Sequence, residues 1–443
     1  MITTDVVVIG AGVAGLTAAR AVMAAGRSVA IIEARDRIGG RIWTAHDPRL
    51  GVPVELGAEF VHGSAPAIRE IAHEAAIPLV TVAGSGWTAV SDGLTDRAEF
   101  WERVGRVLAR LDPAPKVDRS FAEWVAAQKG LTAEERGHAL AYVSGYEGAD
   151  PADISAASLA PGAAADAQSA HDTARLLGGY ERLIMALARS AAPAVHLSRV
   201  VTRVRWRAGE VVATTHSADG RAVEEFAARA AVITLPLGVL TAPAGEDGHV
   251  AFDPPLPAGA QRAIGGLGIG GAVRVALTFE EPIWMSARLA RGTRAESPRD
   301  MAFLSSRADV PFAVWWTQYP MAVPMLVGWR GGPRAWELCR QSRDEVVDDA
   351  VHSIARLLGA TPRAVRRQLR GAFTHDWCGD PYSRGAYSYR RVGGVNAGAA
   401  LARPIERTLY FAGEHTAGRG VVGTVDGAMG AGMRAARALL RVR

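Results

Sequence analysis

Three glycines, Gly10, Gly12 and Gly15, punctuate the stretch VIGAGVAGLTAAR between a β-branched run and a helical one. That spacing suits a diphosphate. The first glycine makes the turn, the second lets a pyrophosphate approach the backbone, and the third lets the helix pack on the strand. The start of the helix adds free N–H groups and the positive end of its dipole. A second strand-like run, SVAIIE, ends in Glu33, whose carboxylate can accept both hydroxyls of a ribose. A tight turn without a ligand is the alternative, but strand, helix and terminal acid in register favour a dinucleotide. The motif by itself leaves open whether that dinucleotide is NAD or FAD.

Other residues narrow the chemistry. Trp377, Tyr382, Tyr387 and Tyr389 crowd into WCGDPYSRGAYSY, and Trp315 and Trp316 stand together elsewhere. Some of these rings are expected in the core, Tyr389 and one of the adjacent tryptophans among them. There is no HExxH, no nucleophile elbow and no Cys/His cluster, so no metal and no hydrolytic chemistry is expected. Cys339 and Cys378 lie far from any CxxC spacing and are expected to stay reduced in a cytoplasmic protein. Lysine occurs only at Lys116 and Lys129, so nearly every basic side chain is an arginine.

The elements that must position these residues fit a chain of 443 residues in two domains. A hydrophobic fraction of 49% and a charged fraction of 21% are those of a soluble globular protein. The longest apolar stretch, AAVITLPLGVLTAPAG, is broken by proline and glycine, so no membrane span is expected. The chain runs straight into the strand DVVVIG, and no signal peptide is expected. The net charge of +5 is spread along the chain without basic blocks alternating with aromatics, which speaks against nucleic acid. RAEFWERVGRVLARL and SFAEWVAAQKG have helical spacing. AVRVALTF and FAVWWTQY read as strands, and RDEVVDDAVHSIARLLG as an amphipathic helix. Oligomeric state is left open, with a homodimer among the options.

What separates NAD from FAD is the continuation EARDRIGGR, which carries a second glycine pair, Gly39 and Gly40, before Arg41. This stretch resembles the FAD-binding signature of the flavin-dependent amine oxidase family, which includes monoamine oxidases, polyamine oxidases and lysine demethylases. The resemblance continues in order through VELGAEFVHG, LLGGYERLIMALA, AVITLPLGVL, WCGDPYSRGAYSY, LYFAGEHT and GTVDGAMGAG. It implies an α/β fold in which a Rossmann-type, glutathione-reductase-like FAD domain is interleaved with an α+β substrate domain. The FAD domain would comprise 1–79, 176–255 and 373–443, and the substrate domain 80–175 and 256–372.

The same resemblance implies FAD contacts at Gly10, Gly12, Gly15, Glu33, Arg35, Gly40, Arg41, Gly57, Ala58, Glu59, Val201, Trp377, Tyr382, Gly413, Glu414, Thr424 and Val425. Tyr387 would stand at the substrate face of the flavin, with Trp377, Arg274, Thr424 and His62 as further catalytic candidates. Glu59 or Glu147 could anchor a substrate ammonium, or be satisfied by an arginine. Three positions depart from the family pattern. Ala386 replaces the cysteine that anchors flavin in monoamine oxidases, so FAD is expected to be noncovalent. Thr424 replaces a second cage tyrosine. Arg274 replaces the lysine at flavin N5, which puts fast reaction with oxygen in question. The implied reaction is hydride transfer from an amine C–H to flavin N5, giving an imine, with O2 as acceptor. An L-amino-acid oxidase, a C–C desaturase or a dehydrogenase slow with oxygen remain alternatives on the same fold.

Overall fold

The computed structural model describes residues 1–96, 100–160, 173–189, 191–217, 220 and 222–441. The start of the predicted helix RAEFWERVGRVLARL, residues 97–99, and the stretch 161–172 assigned to the second domain lie outside them.

Five parallel strands form the central sheet, in the order Val195–His196, Val29–Ile32, Val6–Ile9, Ala230–Ile233 and Leu409–Phe411. Their sequences are nearly continuous apolar runs because both faces are covered. Alternation divides the side chains. Val6 and Val8 join a core with the helices Val13–Ala24, Pro66–Glu74, Glu181–Ala188 and Val425–Leu440. Val7 and Ile9 join the opposite core, roofed by the strands Arg199–Arg207, Glu210–Ser217 and Val223–Ala228. A Cβ at Gly432 would come within 2.2 Å of the Ala14 carbonyl oxygen, so glycine is what lets the first and last helices pack backbone to backbone.

A second sheet of seven strands runs in the order Leu369–Thr374, Ala272–Phe279, Met325–Gly331, Val314–Trp316, Met301–Ser306, Ser85–Val90 and Gly93–Thr95. The helix Arg343–Leu358 covers one face, and a Ser342/Glu345 capping box fixes its start. Strand alternation then decides the other face. Val273, Val275 and Leu277 point into the helix-covered core, while Ala276 falls on the opposite side. Arg274, at the same parity as Ala276, is carried to that side too. Trp315 and Trp316 separate in the same way: Trp315 is core, whereas Trp316 packs with Val327 and Phe303. Leu256, Ala263 and Leu267 pack into the same core as Ile9 and Phe411, so the chain just beyond 255 leans on the parallel sheet.

The cysteines overturn an expectation. Cys339 and Cys378 form a disulfide, with Cα atoms 6.0 Å apart. Sequence spacing gave no sign of this, because the sheet brings the end of the helix Pro333–Leu338 to the turn after Trp377. No helix of the described residues is long and apolar enough to cross a membrane.

Candidate active site

One cavity of about 1030 Å³ is lined by the first glycine turn at one end and by the second sheet at the other. The strand Val6–Ile9 ends in Gly10, at φ +103°, and Gly12 is the N-cap of the helix Val13–Ala24. No side chain caps that helix, and no acid stands in its first turn. Its first N–H groups are therefore available to an anion. A Cβ at Gly15 would meet the Gly10 carbonyl oxygen at 2.0 Å, whereas one at Gly12 would meet nothing within 4 Å. The second glycine pair lies over the first turn, with a bridge between Gly12 and Gly39. Gly40 sits at φ +59°, its Cβ position 3.4 Å from the Gly12 Cα.

Glu33 is buried at the end of its strand, where it accepts from the Ala11 N–H at 2.8 Å and the Arg35 N–H at 3.0 Å. Burial pushes its carboxyl up, against those two N–H groups. Arg35 donates to Asp380 at 2.7 Å and to Ser383 at 2.9 Å, with Tyr382 beneath its guanidinium. Val201 lines the cavity where its strand loses register against Glu210–Ser217.

Further along, Arg41 donates to the Ala386 carbonyl and, at 2.9 Å, to Glu414. Glu414 also accepts from the Ser388 hydroxyl at 2.7 Å and the Gly423 N–H at 3.2 Å. Burial opposes its charge, but Arg41 and these donors hold the carboxyl below its ordinary value. Gly57 packs against the Arg41 carbonyl, where a Cβ would come within 1.8 Å, and Ala58 donates its N–H to the same oxygen. Trp377 is fixed by its indole N–H on the Leu56 carbonyl at 2.8 Å. Gly413 and Ala58 line the cavity, as do Thr424 and Val425 at the start of the last helix. Thr424 is its N-cap, accepting from the Gly427 N–H at 3.0 Å.

At the far end Tyr387 donates its hydroxyl to the Tyr146 carbonyl at 2.7 Å, and burial pushes its phenol well up. His62 faces Tyr146 and Phe60, and burial lowers it to about 4, so it is neutral at pH 7. Glu59 accepts from Arg175 at 2.7 Å, Arg274 at 2.5 Å, Trp316 at 2.9 Å and Gln318 at 3.2 Å. Burial works against its charge, yet Arg274 and Arg175 hold it at about 2. Of the two uses foreseen for Glu59, satisfaction by arginine is the one the geometry displays. Arg274 also donates to the Gly57 carbonyl at 3.0 Å, which leaves its buried Nε–H without a partner. Glu147 accepts from the Tyr142 hydroxyl at 2.9 Å.

All the site candidates named from the sequence line this cavity except Gly15, which supports the turn from behind. Tyr389 reaches the cavity but is buried, with its hydroxyl on Asp153 at 2.7 Å. Sequence reasoning missed Arg175, Gln318 and Asp380. Arg175 carried no clear signal, since strand arginines such as Arg203, Arg205 and Arg207 are exposed; the fold buries this one, and a buried guanidinium needs a carboxylate.

A cavity that offers bare helix N–H groups at one end and an aromatic chamber at the other belongs to a nucleotide-cofactor enzyme. A family model described as flavin containing amine oxidoreductase matches residues 13–440, and the chain belongs to that family. It is an FAD-dependent amine oxidase. It is 28% identical to polyamine oxidase 2 of Arabidopsis thaliana, covering 98% of this chain and 87% of that protein. It is 27% identical to lysine-specific histone demethylase 1 homolog 3 of the same plant, covering 97% of this chain and 29% of the relative. Among solved structures, a wild-type putrescine oxidase bound to putrescine superposes with a TM-score of 0.80 at 22% identity, covering 99% of both chains. Cyclohexylamine oxidase from Brevibacterium oxydans gives 0.77 at 22% identity, over 98% of both. The expected fold class and reaction class hold. The residues also fit the cofactor on their own terms, since the helix start is uncapped, Gly12 opens onto free space and Glu33 stands beside it.

Proposed function

We propose that the protein oxidises a small-molecule amine with noncovalent FAD lying along this cavity and O2 as the final electron acceptor. Bound there, FAD supplies the two-electron acceptor that converts the amine C–N bond to an imine, which water then hydrolyses. The observation that carries the reading is the continuity of the uncapped Gly12 helix start with the chamber at Tyr387.

Gly10, Gly12, Gly15 and Gly40 would hold the diphosphate, with Glu33 on the ribose and Arg35 and Tyr382 beside it. Val201 would contact the adenine. Arg41, Gly57, Ala58, Glu59, Trp377, Gly413 and Glu414 would shape the ring end. The last helix would direct its start, at Thr424 and Val425, toward developing negative charge. Tyr387, His62 and Trp377 would wall the substrate and exclude water, and neutral His62 would not repel an ammonium. The Nε–H of Arg274 has no partner within the chain and would be able to orient a water or a cofactor edge. Ala386 offers no nucleophile for a covalent link.

In this reading 1–79, 176–255 and 373–443 form the cofactor unit, and 80–175 and 256–372 the substrate unit, except that the start of the last stretch, through Leu267, packs with the cofactor unit. A cytoplasmic location belongs to the same proposal; there the Cys339–Cys378 bond would meet a reducing thiol pool. The test is anaerobic titration of the purified holoenzyme with monoamines, polyamines and L-amino acids. Bleaching by an amine supports the reading, and no bleaching by any amine overturns it. Admitting air to the bleached protein then tests O2 as acceptor.

A further inference from the structure

Among the described residues five arginines line the cavity, and four of them face a carboxylate. Arg35 pairs with Asp380, Arg41 with Glu414, Arg199 with Glu224 and Arg274 with Glu59. Arg390 has no such partner among the described residues. It is only 6% exposed, and one terminal nitrogen donates to the Ala417 carbonyl at 3.1 Å while its buried Nε–H meets no acceptor. Burial pushes its guanidinium down, Arg419 pushes it further, and no described carboxylate counters them. A cation taken out of water without a counter-charge is costly, so a buried guanidinium in a binding cavity calls for an anion.

Backbone contacts hold Arg390 in position. It ends the strand Tyr387–Arg390, where it pairs with Leu267, and its carbonyl accepts from the Ser155 N–H at 2.9 Å. Ser155 caps the short helix Ala156–Leu159, and Ile154 and Leu159 add apolar wall to the cavity. Arg419 is exposed, one residue before Gly420 of the same wall. Arg390 stands three residues beyond Tyr387, about 10 Å along a strand at about 3.3 Å per residue. The two positions differ in charge. Burial and then Glu147 raise the Tyr387 phenol, so negative charge is felt there, whereas Arg390 is cationic.

We infer that Arg390, assisted by Arg419, is an anion-binding subsite of the cavity that takes the carboxylate of an ω-amino acid whose amine lies at Tyr387. This rests on the amine-oxidation reading and names its substrate class. A guanidinium offers a carboxylate parallel N–H donors, and the bond is stronger than one between neutral groups. An α-amino acid carries its two charges on one carbon and cannot reach both positions, whereas a chain of several methylenes can, lying against Ile154 and Leu159. A free inorganic or organic anion offers Arg390 the same chemistry, and the experiment separates the two sources.

The test compares anaerobic bleaching of the holoenzyme by 6-aminohexanoate, hexylamine and L-leucine. Half-saturation by 6-aminohexanoate should fall at least ~10-fold below that by hexylamine, the scale of one hydrogen-bonded charge pair. Arg390→Met should abolish that preference while leaving hexylamine within about twofold. Arg419→Ala, at an exposed position that spares the core, should weaken 6-aminohexanoate about threefold. Acetate and phosphate should raise the melting temperature of the parent holoenzyme more than that of Arg390→Met, a readout that needs no turnover. Stabilisation by these anions without any preference for 6-aminohexanoate keeps the subsite and overturns the ω-amino acid. Bleaching by L-leucine at lower concentration than by 6-aminohexanoate overturns the spacing. Equal half-saturation by 6-aminohexanoate and hexylamine, with no stabilisation by anions, overturns the inference while sparing amine oxidation. Failure of all three amines with anion stabilisation intact overturns the amine reading and leaves the subsite.

Discussion

Arg274 and Glu59 form a buried ion pair at 2.5 Å, with side chains only 5% and 4% exposed. The pair joins the second sheet to the loop beside the parallel one, and Arg175 completes it from the other side of the carboxylate. Removing the shared acid leaves two guanidinium groups without their counter-charge in a dry site. Glu59→Gln should therefore cost about 3–5 kcal/mol, read as a shift in the urea midpoint at constant m-value. A loss below about 1 kcal/mol would mean that water reaches the cluster.

Arg274→Lys preserves the charge but has one ammonium to divide between Glu59 and the Gly57 carbonyl. If Arg274 slows the approach of oxygen, the lysine variant should reoxidise faster after substrate bleaching. Stopped-flow mixing with air-saturated buffer measures this, and an unchanged rate confines Arg274 to holding Glu59.

The glycine turn separates cofactor loading from folding. At Gly12 a side chain meets open space and the backbone, at φ −72°, suits any residue. Gly12→Leu should fold with an unchanged melting profile of the apoprotein and carry no yellow colour. At Gly15 a methyl collides with the Gly10 carbonyl, so Gly15→Ala should lose about 2 kcal/mol or more even without cofactor. Full loading of Gly12→Leu would remove the diphosphate from this turn.

The turn was legible in the sequence because its glycines answer local demands, a turn and two close approaches that neighbouring residues announce. The helix Arg343–Leu358 was legible for a similar reason, its 3.6-residue apolar period and its cap lying within one segment. Parity along AVRVALTF set Arg274 apart from its apolar neighbours, but did not reveal its partner, since Glu59 arrives from a distant loop and Arg175 from a distant strand. The chamber was the least legible part. Trp101, Tyr146 and Phe303 come from separate elements and converge only through packing, and the disulfide was hidden for the same reason.

Acid should weaken the fold in a defined window. Burial lowers His62 and His415 to about 4, so both are neutral in the folded protein while the unfolded chain takes up protons below about 6.5. Their stabilisation is complete above that pH and drains away as pH falls toward 4, by about 3 kcal/mol per group. Glu55 acts oppositely. Raised by burial to about 7, it takes up its proton in the folded state first, so falling pH from 7 to 4.5 favours folding by a comparable amount. Glu33, also raised by burial, acts in the same direction as Glu55, so the net loss is smaller than the two histidines alone would give. Glu55→Gln keeps an acceptor for the Tyr180 N–H and removes its part of the compensation. Urea midpoints of that variant should drop more steeply between pH 7 and 4.5 than those of the parent, and parallel profiles would show that Glu55 is ionised throughout.

The Cys339–Cys378 bond makes a prediction against the expectation of free thiols. Protein unfolded in guanidinium without reductant should show no reactive thiol, and two after reduction. The bridge spans 39 residues of chain, and closing a loop of that length stabilises by about 3–4 kcal/mol through the unfolded state. Cys378→Ser should therefore lower the urea midpoint of the oxidised protein to that of the reduced parent. Cys378 follows Trp377 directly, so the same variant tests whether the bridge supports the cavity wall. Near-ultraviolet circular dichroism of Trp377 in its setting with Trp43 and His375 should weaken on reduction. Two reactive thiols before reduction, with no change in midpoint on substitution, would return both cysteines to the reduced state expected of them from the sequence.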